Sequence, residues 1–385
     1  APELFLFSNS VAAWSPADSV AILKLIGLQQ SNHLQSEILR ARVSLVLGDA
    51  RVKDILPDVP GSSIVELTDF ASSFSIVPKK ETGLIEPQQL ALPLKSINLS
   101  GASNAWAALP GRSAVNSTLL ANDPHNTLTA PSLWYLARLN LKAGGVIGAT
   151  IPGIPTILAG RSKNLGWGLT SANIDDTDLY IERLNPENSS EYQTGTSYKP
   201  FTQKKTLIKD KDQPTVTLNL LKTENGPVLF GSKLNLNAIT PDGHVVSVAS
   251  TLISPNDTSM EALINIMRAQ TVKEALKASQ NYMAPGQNLI LADQKDIAMK
   301  TIGSLPKRDK KHKSKGRMPT RGWLEFNRWQ GLYDQSFNPV FLNPTGGILG
   351  NTNNKYTNKP FPKHISYEWG DTQRVQRWRR LMQNR

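Results

Sequence analysis

The sequence contains no cysteine. That excludes disulfides, thiol nucleophiles and cysteine-based metal sites, and it does not distinguish periplasm from cytosol. There is no uninterrupted apolar run of the roughly 18 residues that a membrane-crossing helix needs, so no transmembrane segment is expected. The first residues, Ala1-Pro2-Glu3-Leu4, lack the positive start and the apolar stretch of a secretory leader. A leader already removed, or a start inside a longer gene, is compatible with this. No repeat of fixed period runs through the chain.

What is present is an ordinary globular composition over 385 residues, 39% hydrophobic and 19% charged. That length allows roughly two to three domains or one large one. The formal charge of +12 is clustered: Lys307 to Arg317 reads KRDKKHKSKGR, and the tail carries Arg377, Arg379, Arg380 and Arg385. A basic cluster can meet nucleic acid or an anionic surface. No aromatic residue interleaves this one and no nucleic-acid motif accompanies it, so a solvated basic loop is expected and no nucleic-acid partner.

Residues 1–75 read as a helical segment. Ser15-Pro16-Ala17-Asp18 is a helix start, with a serine cap, proline at the first helical position and an acid three residues after the cap. Ser31 can cap a second helix in which Leu34, Ile38, Ala41 and Leu45 recur at helical spacing, and Gly48 is a plausible stop. Residues 76–102 carry Pro78, Gly83, Pro87 and Pro93 and read as an exposed connector. From residue 103 to 385 the character changes to strands: Ser103 to Leu109, Thr118 to Ala121, Thr156 to Ala159, Leu165 to Thr170, Leu179 to Leu184, Thr215 to Leu221, Val245 to Leu252 and Asn288 to Asp293. Helices are expected at Pro131 to Leu141, around Met260 to Gln280, and from about Thr372. Strands and helices fall in blocks and do not alternate. The expected class is therefore α+β, layered on mostly antiparallel sheet.

Several blocks then come in a recognisable order: SNAW at 103–106, LLANDPH at 119–125, PSLWY at 131–135, IPGIPTILAGRSKNLGWGLTSANIDDTDLYIERL at 151–184, GQNLILAD at 286–293, NP at 343–344, NTNNKY at 351–356 and YEWGDTQR at 367–374. With them the chain resembles the penicillin acylase family of N-terminal nucleophile hydrolases, which includes acyl-homoserine-lactone and cephalosporin acylases. The resemblance implies a four-layer αββα fold and a precursor that cuts its own backbone before the nucleophile. It puts Ser103 in the nucleophile position, after Ala102, where the family commonly has glycine.

A serine hydroxyl needs an adjacent base. An α-amine, with a reference pKa near 8, can serve, and it exists only if the Ala102–Ser103 bond is broken. The plain alternative is that Ser103 is a strand residue of an uncut chain, and the protein a precursor or binding scaffold. By the same resemblance His125 contacts the serine, with Asn122-Asp123-Pro124 as a turn that aims it. A backbone N–H from Ser171-Ala172 and the side-chain amide of Asn353, or of its neighbour Asn354, form the oxyanion hole. Arg374 orients the site.

Family members often hold calcium away from the nucleophile. The residues matching that site are Asp175, Asp178, the Thr177 carbonyl and Glu37, hard oxygen donors suited to Ca²⁺. Lys363 stands near the place of a further family acid, a change that weakens such a site. No cofactor is implied for the chemistry. The tryptophans, Trp134 and Trp329 among them, are expected in the core. The implied substrate is a small acyl amide whose acyl group is aromatic, dicarboxylic or fatty. The implied location is periplasmic or secreted, with a second chain or further precursor segments as possible partners.

Overall fold

The computed structural model of the chain describes residues 13–56, 102–126, 128–209, 214–230, 234–370 and 372–383. It opens with α1 (Pro16–Gln30), α2 (His33–Leu47) and α3 (Asp49–Ile55). Strands β1 (Ala102–Ala108), β2 (Leu119–His125), β3 (Tyr135–Leu141), β4 (Gly144–Thr150), β5 (Ala159–Arg161) and β6 (Gly166–Ser171) follow. Next come β7 (Thr177–Asn185), β8 (Asn188–Thr194), β9 (Ser197–Pro200), β10 (Thr202–Ile208), β11 (Val216–Lys222), β12 (Val228–Leu229) and β13 (His244–Ser250). Helices α4 (Ser259–Arg268) and α5 (Val272–Ala278) precede β14 (Gln287–Ala292), β15 (Ile297–Ile302), β16 (Thr320–Arg321), β17 (Val340–Leu342) and β18 (Ile348–Asn351). The chain closes with α6 (Gln373–Gln383).

Two antiparallel sheets stack face to face. One has seven strands in the order β17-β15-β14-β6-β5-β4-β3, the other three in the order β18-β1-β2. Strand β14 is buried along its whole length, because its alternating side chains meet different layers. Leu289 and Leu291 join Leu23 and Ile26 of α1 and Leu263, Met267 and Val272 of α4 and α5 on one face. Ile290 and Ala292 meet Ala105 and Ala107 of β1 and Leu349 of β18 on the other. On the far side of the three-stranded sheet lies α6. Its Trp378 ring covers Gly350, where a Cβ would come within 2.8 Å of the indole. The layer order is helix, sheet, sheet, helix. A further sheet, β12-β13-β7-β8-β9 with β16 parallel to β7, packs Leu179 and Ile181 against Ile38 and Ala41 of α2.

The start of α1 is as expected, with the Ser15 N–H donating to Asp18 Oδ2 at 2.7 Å. Gly48 ends α2 at φ +75°, a conformation that suits glycine. The first residue capping α2 is Asn32, with Ser31 Oγ accepting from the His33 N–H. The helical stretch after Met260 is two helices, the second capped by Thr271 Oγ1 accepting from the Glu274 N–H.

Three expectations are corrected. Pro131 to Leu141 is not a helix. Ala137, Leu139 and Leu141 face the core at a period of two, and Tyr135–Leu141 pairs with β4 along its length. The turn expected at Asn122-Asp123-Pro124 is instead part of β2, paired with β1 in register Ser103↔Pro124. Pro124 is tolerated because β2 is an edge strand. Of the strand expected at Thr156 to Ala159, only Ala159 is in β5. The connector at 76–102 lies outside the described residues apart from Ala102.

Candidate active site

Ser103 sits near the start of β1, the central strand of the three-stranded sheet. Its backbone N–H donates to Asn353 Oδ1 at 2.8 Å. Asn353, at φ +64° just beyond β18, turns its amide back over β1, and its Nδ2 donates to Ser171 O at 3.0 Å. Arg374, in the first turn of α6, closes the arrangement. Its Nη1 donates to Ser103 O at 3.1 Å and to Asn104 Oδ1 at 3.0 Å, and its Nη2 to Asn353 Oδ1 at 2.9 Å and to Thr352 O. The fork of guanidinium donors thus fixes both the strand that carries Ser103 and the asparagine beside it.

Four of the residues selected from the sequence therefore meet: Ser103, Ser171, Asn353 and Arg374. Ala172 follows at once, buried, with its N–H donating to Gly286 O at 3.3 Å. Of the two neighbouring asparagines, Asn353 is the one beside Ser103. Asn354 Oδ1 accepts from the Thr352 N–H and shapes the turn. His125 is not brought in. It pairs across the sheet with Ala102, so strand alternation directs it away from the face that Ser103 shares with Pro124. Its Nε2 lies 2.9 Å from Asp123 Oδ2, and both side chains are more than half exposed.

These residues edge a cavity of about 180 Å³ between α1, α4 and the two sheets. Its apolar lining comes from Leu23 and Ile26 of α1, Ile151, Ile154 and Leu158, Leu263 of α4, Trp134 and Tyr282. Polar residues line it too: Asn122, Asn126, Ser171, Asn173, Gln287 and Asn353, with Gln30 and Asn32. Arg374 is the only charged group among the described lining residues.

Sequence reasoning missed Asn122 and the place of Trp134 in the cavity lining. Asn122 Nδ2 donates to Asn104 O and Leu169 O, and its Oδ1 accepts from the Leu169 N–H, so it ties the two sheets together beside Ser103. Its place inside the LLANDPH block was a usable signal. Trp134 packs against the core as expected and also lines the cavity; its indole N–H donates to Asn126 Oδ1.

The four residues matched to a calcium site are also close together, but a cation already stands among them. The Arg308 guanidinium, 1% exposed, donates from Nε to Asp178 Oδ2 at 2.8 Å and from Nη2 to Asp178 Oδ1 at 3.0 Å. The same Nη2 lies 3.2 Å from both the carbonyl oxygen and Oδ1 of Asp175. His364 Nε2 bonds Asp175 Oδ2, and the Trp329 indole N–H bonds Asp178 Oδ2. Burial would raise the Asp175 carboxyl, but Arg308 and His364 outweigh it and bring it down to about 2. Glu37 Oε2 accepts from the Leu179 N–H. Burial, then Asp178, pushes the Glu37 carboxyl well above its ordinary range. Thr177 Oγ1 bonds Asp176 and Ser250. Among the described residues no group of three or more His, Asp or Glu side chains is arranged to hold a metal ion. The donor set as it stands does not fit a divalent cation.

The 307–317 segment is only in part the solvated loop expected from its charge: Lys307, Lys310, Lys311 and Lys313 are exposed, and other members are not. Arg308, His312, Ser314 and Arg317 are all at most 4% exposed, and Arg308 is held inward by Asp175 and Asp178.

Comparison with known proteins agrees with this geometry. The family model described as penicillin amidase matches residues 1–385. The chain is 29% identical over 371 residues to an acyl-homoserine lactone acylase, QuiP, of Pseudomonas fluorescens (strain Pf0-1), covering 94% of this chain and 44% of that protein. It is 24% identical over 384 residues to the penicillin acylase 2 proenzyme of Pseudomonas sp. (strain SE83), covering 97% and 48%. The chain therefore spans about half the length of the curated relatives it matches. A solved structure of thermostable penicillin G acylase from Alcaligenes faecalis has the same fold, with a TM-score of 0.62 at 24% identity, covering 73% of this chain and 49% of that one. Among the described residues, no helix is long and apolar enough to cross a membrane.

Proposed function

The chain belongs to the penicillin amidase family, and from that premise we propose that it is an amidohydrolase in which Ser103, freed as an N-terminal residue, attacks a linear acyl amide. The observation that carries the proposal is the meeting of Ser103, Ser171, Asn353 and Arg374, from separate stretches of sequence, at one cavity with a largely aliphatic and aromatic side.

The proposed first step is on the chain itself. Ser103 Oγ attacks the Ala102 carbonyl carbon, and the bond to Ser103 N breaks to leave an ester. Water hydrolyses that ester, leaving the Ala102 carboxylate and a free amine on Ser103. The amine then accepts the Oγ proton as the hydroxyl attacks a substrate carbonyl. It remains next to Asn353 Oδ1, which can hold its orientation. Asn353 Nδ2 and the Ala172 N–H serve as oxyanion donors. The latter makes only a long bond to Gly286 O, for which a charged oxygen would compete. The proton passes to the leaving amine, and water releases the acid from the acyl-enzyme.

The cavity favours an aromatic or aliphatic acyl group over a dicarboxylic one. Among its described lining residues Arg374 is the only cation that could meet a second carboxylate, and it is engaged by Ser103, Asn104, Thr352 and Asn353. The proposal carries with it the periplasmic or secreted location that the resemblance implies.

The test is release of free amine from three probes: an N-acyl-homoserine lactone, a phenylacetyl amide and a glutaryl amide. Turnover of either apolar probe, absent in Ser103→Ala, supports the reading. Turnover of the glutaryl amide alone, or equal turnover by Ser103→Ala, overturns it.

A further inference from the structure

We propose that the Arg308 guanidinium is a built-in replacement for the structural divalent cation that the family resemblance implies, so that the helical segment is clamped to the β core without metal. This reading is independent of hydrolysis at Ser103.

Position is the first argument. Arg308 reaches Asp175 and Asp178, two of the three buried acids at the start of β7, and is buried with them. Saturation is the second. All four carboxylate oxygens already face an N–H: Asp178 Oδ1 and Oδ2 face Arg308, Oδ2 also faces Trp329, and Asp175 Oδ1 and Oδ2 face Arg308 and His364. A divalent ion placed there would meet donor hydrogens where it needs lone pairs.

The loop is also shaped around the guanidinium. Gly316 adopts φ +78°, and a Cβ there would lie 2.9 Å from Arg308 Nε and 3.1 Å from Asp175 Oδ2. Only glycine lets the segment close over the ion pair without strain or a clash. Lys363, by contrast, is exposed. The cation that stands among these acids is therefore Arg308 and not Lys363.

The cluster joins the two parts of the chain. Glu37 of α2 accepts the Leu179 N–H in β7, directly beside the Asp178–Arg308 pair. A cut before Ser103 would leave these parts held by non-covalent contacts, this cluster among them. A covalently attached cation holds its place whatever the divalent-ion concentration.

The experiment uses the full chain and two readouts that do not involve turnover. One is the melting temperature in excess EDTA and in millimolar CaCl₂. The other is terbium luminescence, for which Trp329 beside Asp178 is a natural antenna. The wild type is expected to melt at the same temperature in both solutions and to give no saturable terbium emission. A melting point lowered by EDTA, or stoichiometric terbium binding, overturns the proposal. Arg308→Ala is expected to melt roughly 5–10 °C lower, as removal of one partner from a buried ion pair should cause. It is expected to bind terbium and to recover part of the loss in CaCl₂. An unchanged melting point, or no gain of terbium binding, overturns the proposal. Should Arg308→Ala fail to fold, the wild-type measurements decide alone, and Arg308→Lys, which keeps the charge but not the fork, is expected to fall between the two.

Discussion

The Ser103 backbone N–H donates to Asn353 Oδ1 at 2.8 Å, across 250 positions of sequence. Uncut, this is one peptide N–H held by one amide oxygen. Cut before Ser103, the same contact would hold the amine that is to act as base. In the proposed mechanism Asn353 would have two tasks, one for each end of its amide. Asn353→Ala should lower kcat by about 10²–10³, the usual cost of one oxyanion donor, with a smaller change in KM. Steady-state kinetics on a phenylacetyl amide check this.

Arg374 holds Ser103 O, Asn104, Thr352 and Asn353 with two nitrogens. Lysine supplies the charge but not the planar fork. Arg374→Lys should therefore behave more like Arg374→Ala than like the wild type. A loss of about 10²-fold in kcat/KM is expected, since a displacement of about 1 Å at a nucleophile has that scale. Near-wild-type activity in Arg374→Lys would assign the residue a purely electrostatic role.

Trp134 closes one side of the cavity. Trp134→Ala should reduce kcat/KM for apolar acyl amides by about 10- to 200-fold, as expected for lost apolar contact in a pocket. Acetyl amides, which do not reach the wall, should change little. An acyl-length series measured for both forms gives the comparison.

His312 is buried, and burial lowers its pKa to about 4. The unfolded value is near 6.5, so the unfolded chain binds the extra proton first as pH falls. The stability tied to neutral His312 is complete above the unfolded value and is lost progressively toward the folded one. Across that window the loss is about 3 kcal/mol. His364 is shifted in the same direction by burial, against the pull of Asp175. Melting temperature against pH should fall across this window, and His312→Phe should flatten the slope. Parallel curves for the two proteins would contradict it.

The helical start at Ser15-Pro16-Ala17-Asp18, the stop at Gly48 and the apolar run of β14 were legible because each depends on neighbours in sequence. Ser103, Ser171, Asn353 and Arg374 were legible through the ordered blocks around them. β3 was misread because its apolar residues fit a helical spacing as well as a period of two, and pairing with β4 decided between them. The inward turn of Arg308 was not legible, since its acids lie about 130 positions away. In a linear reading KRDKKHKSKGR is only a charge run. His125 shows the same limit: the register of β2 against β1, which aims it away from Ser103, is set by pairing and not by composition.

The central claim is that the bond before Ser103 is cut by Ser103 itself. Intact mass together with N-terminal sequencing of the purified chain tests it most directly. The account predicts two polypeptides, the second beginning Ser103-Asn104-Ala105-Trp106, and a single uncut chain from Ser103→Ala. A wild-type chain that stays whole, or a Ser103→Ala chain cut at the same bond, would contradict it.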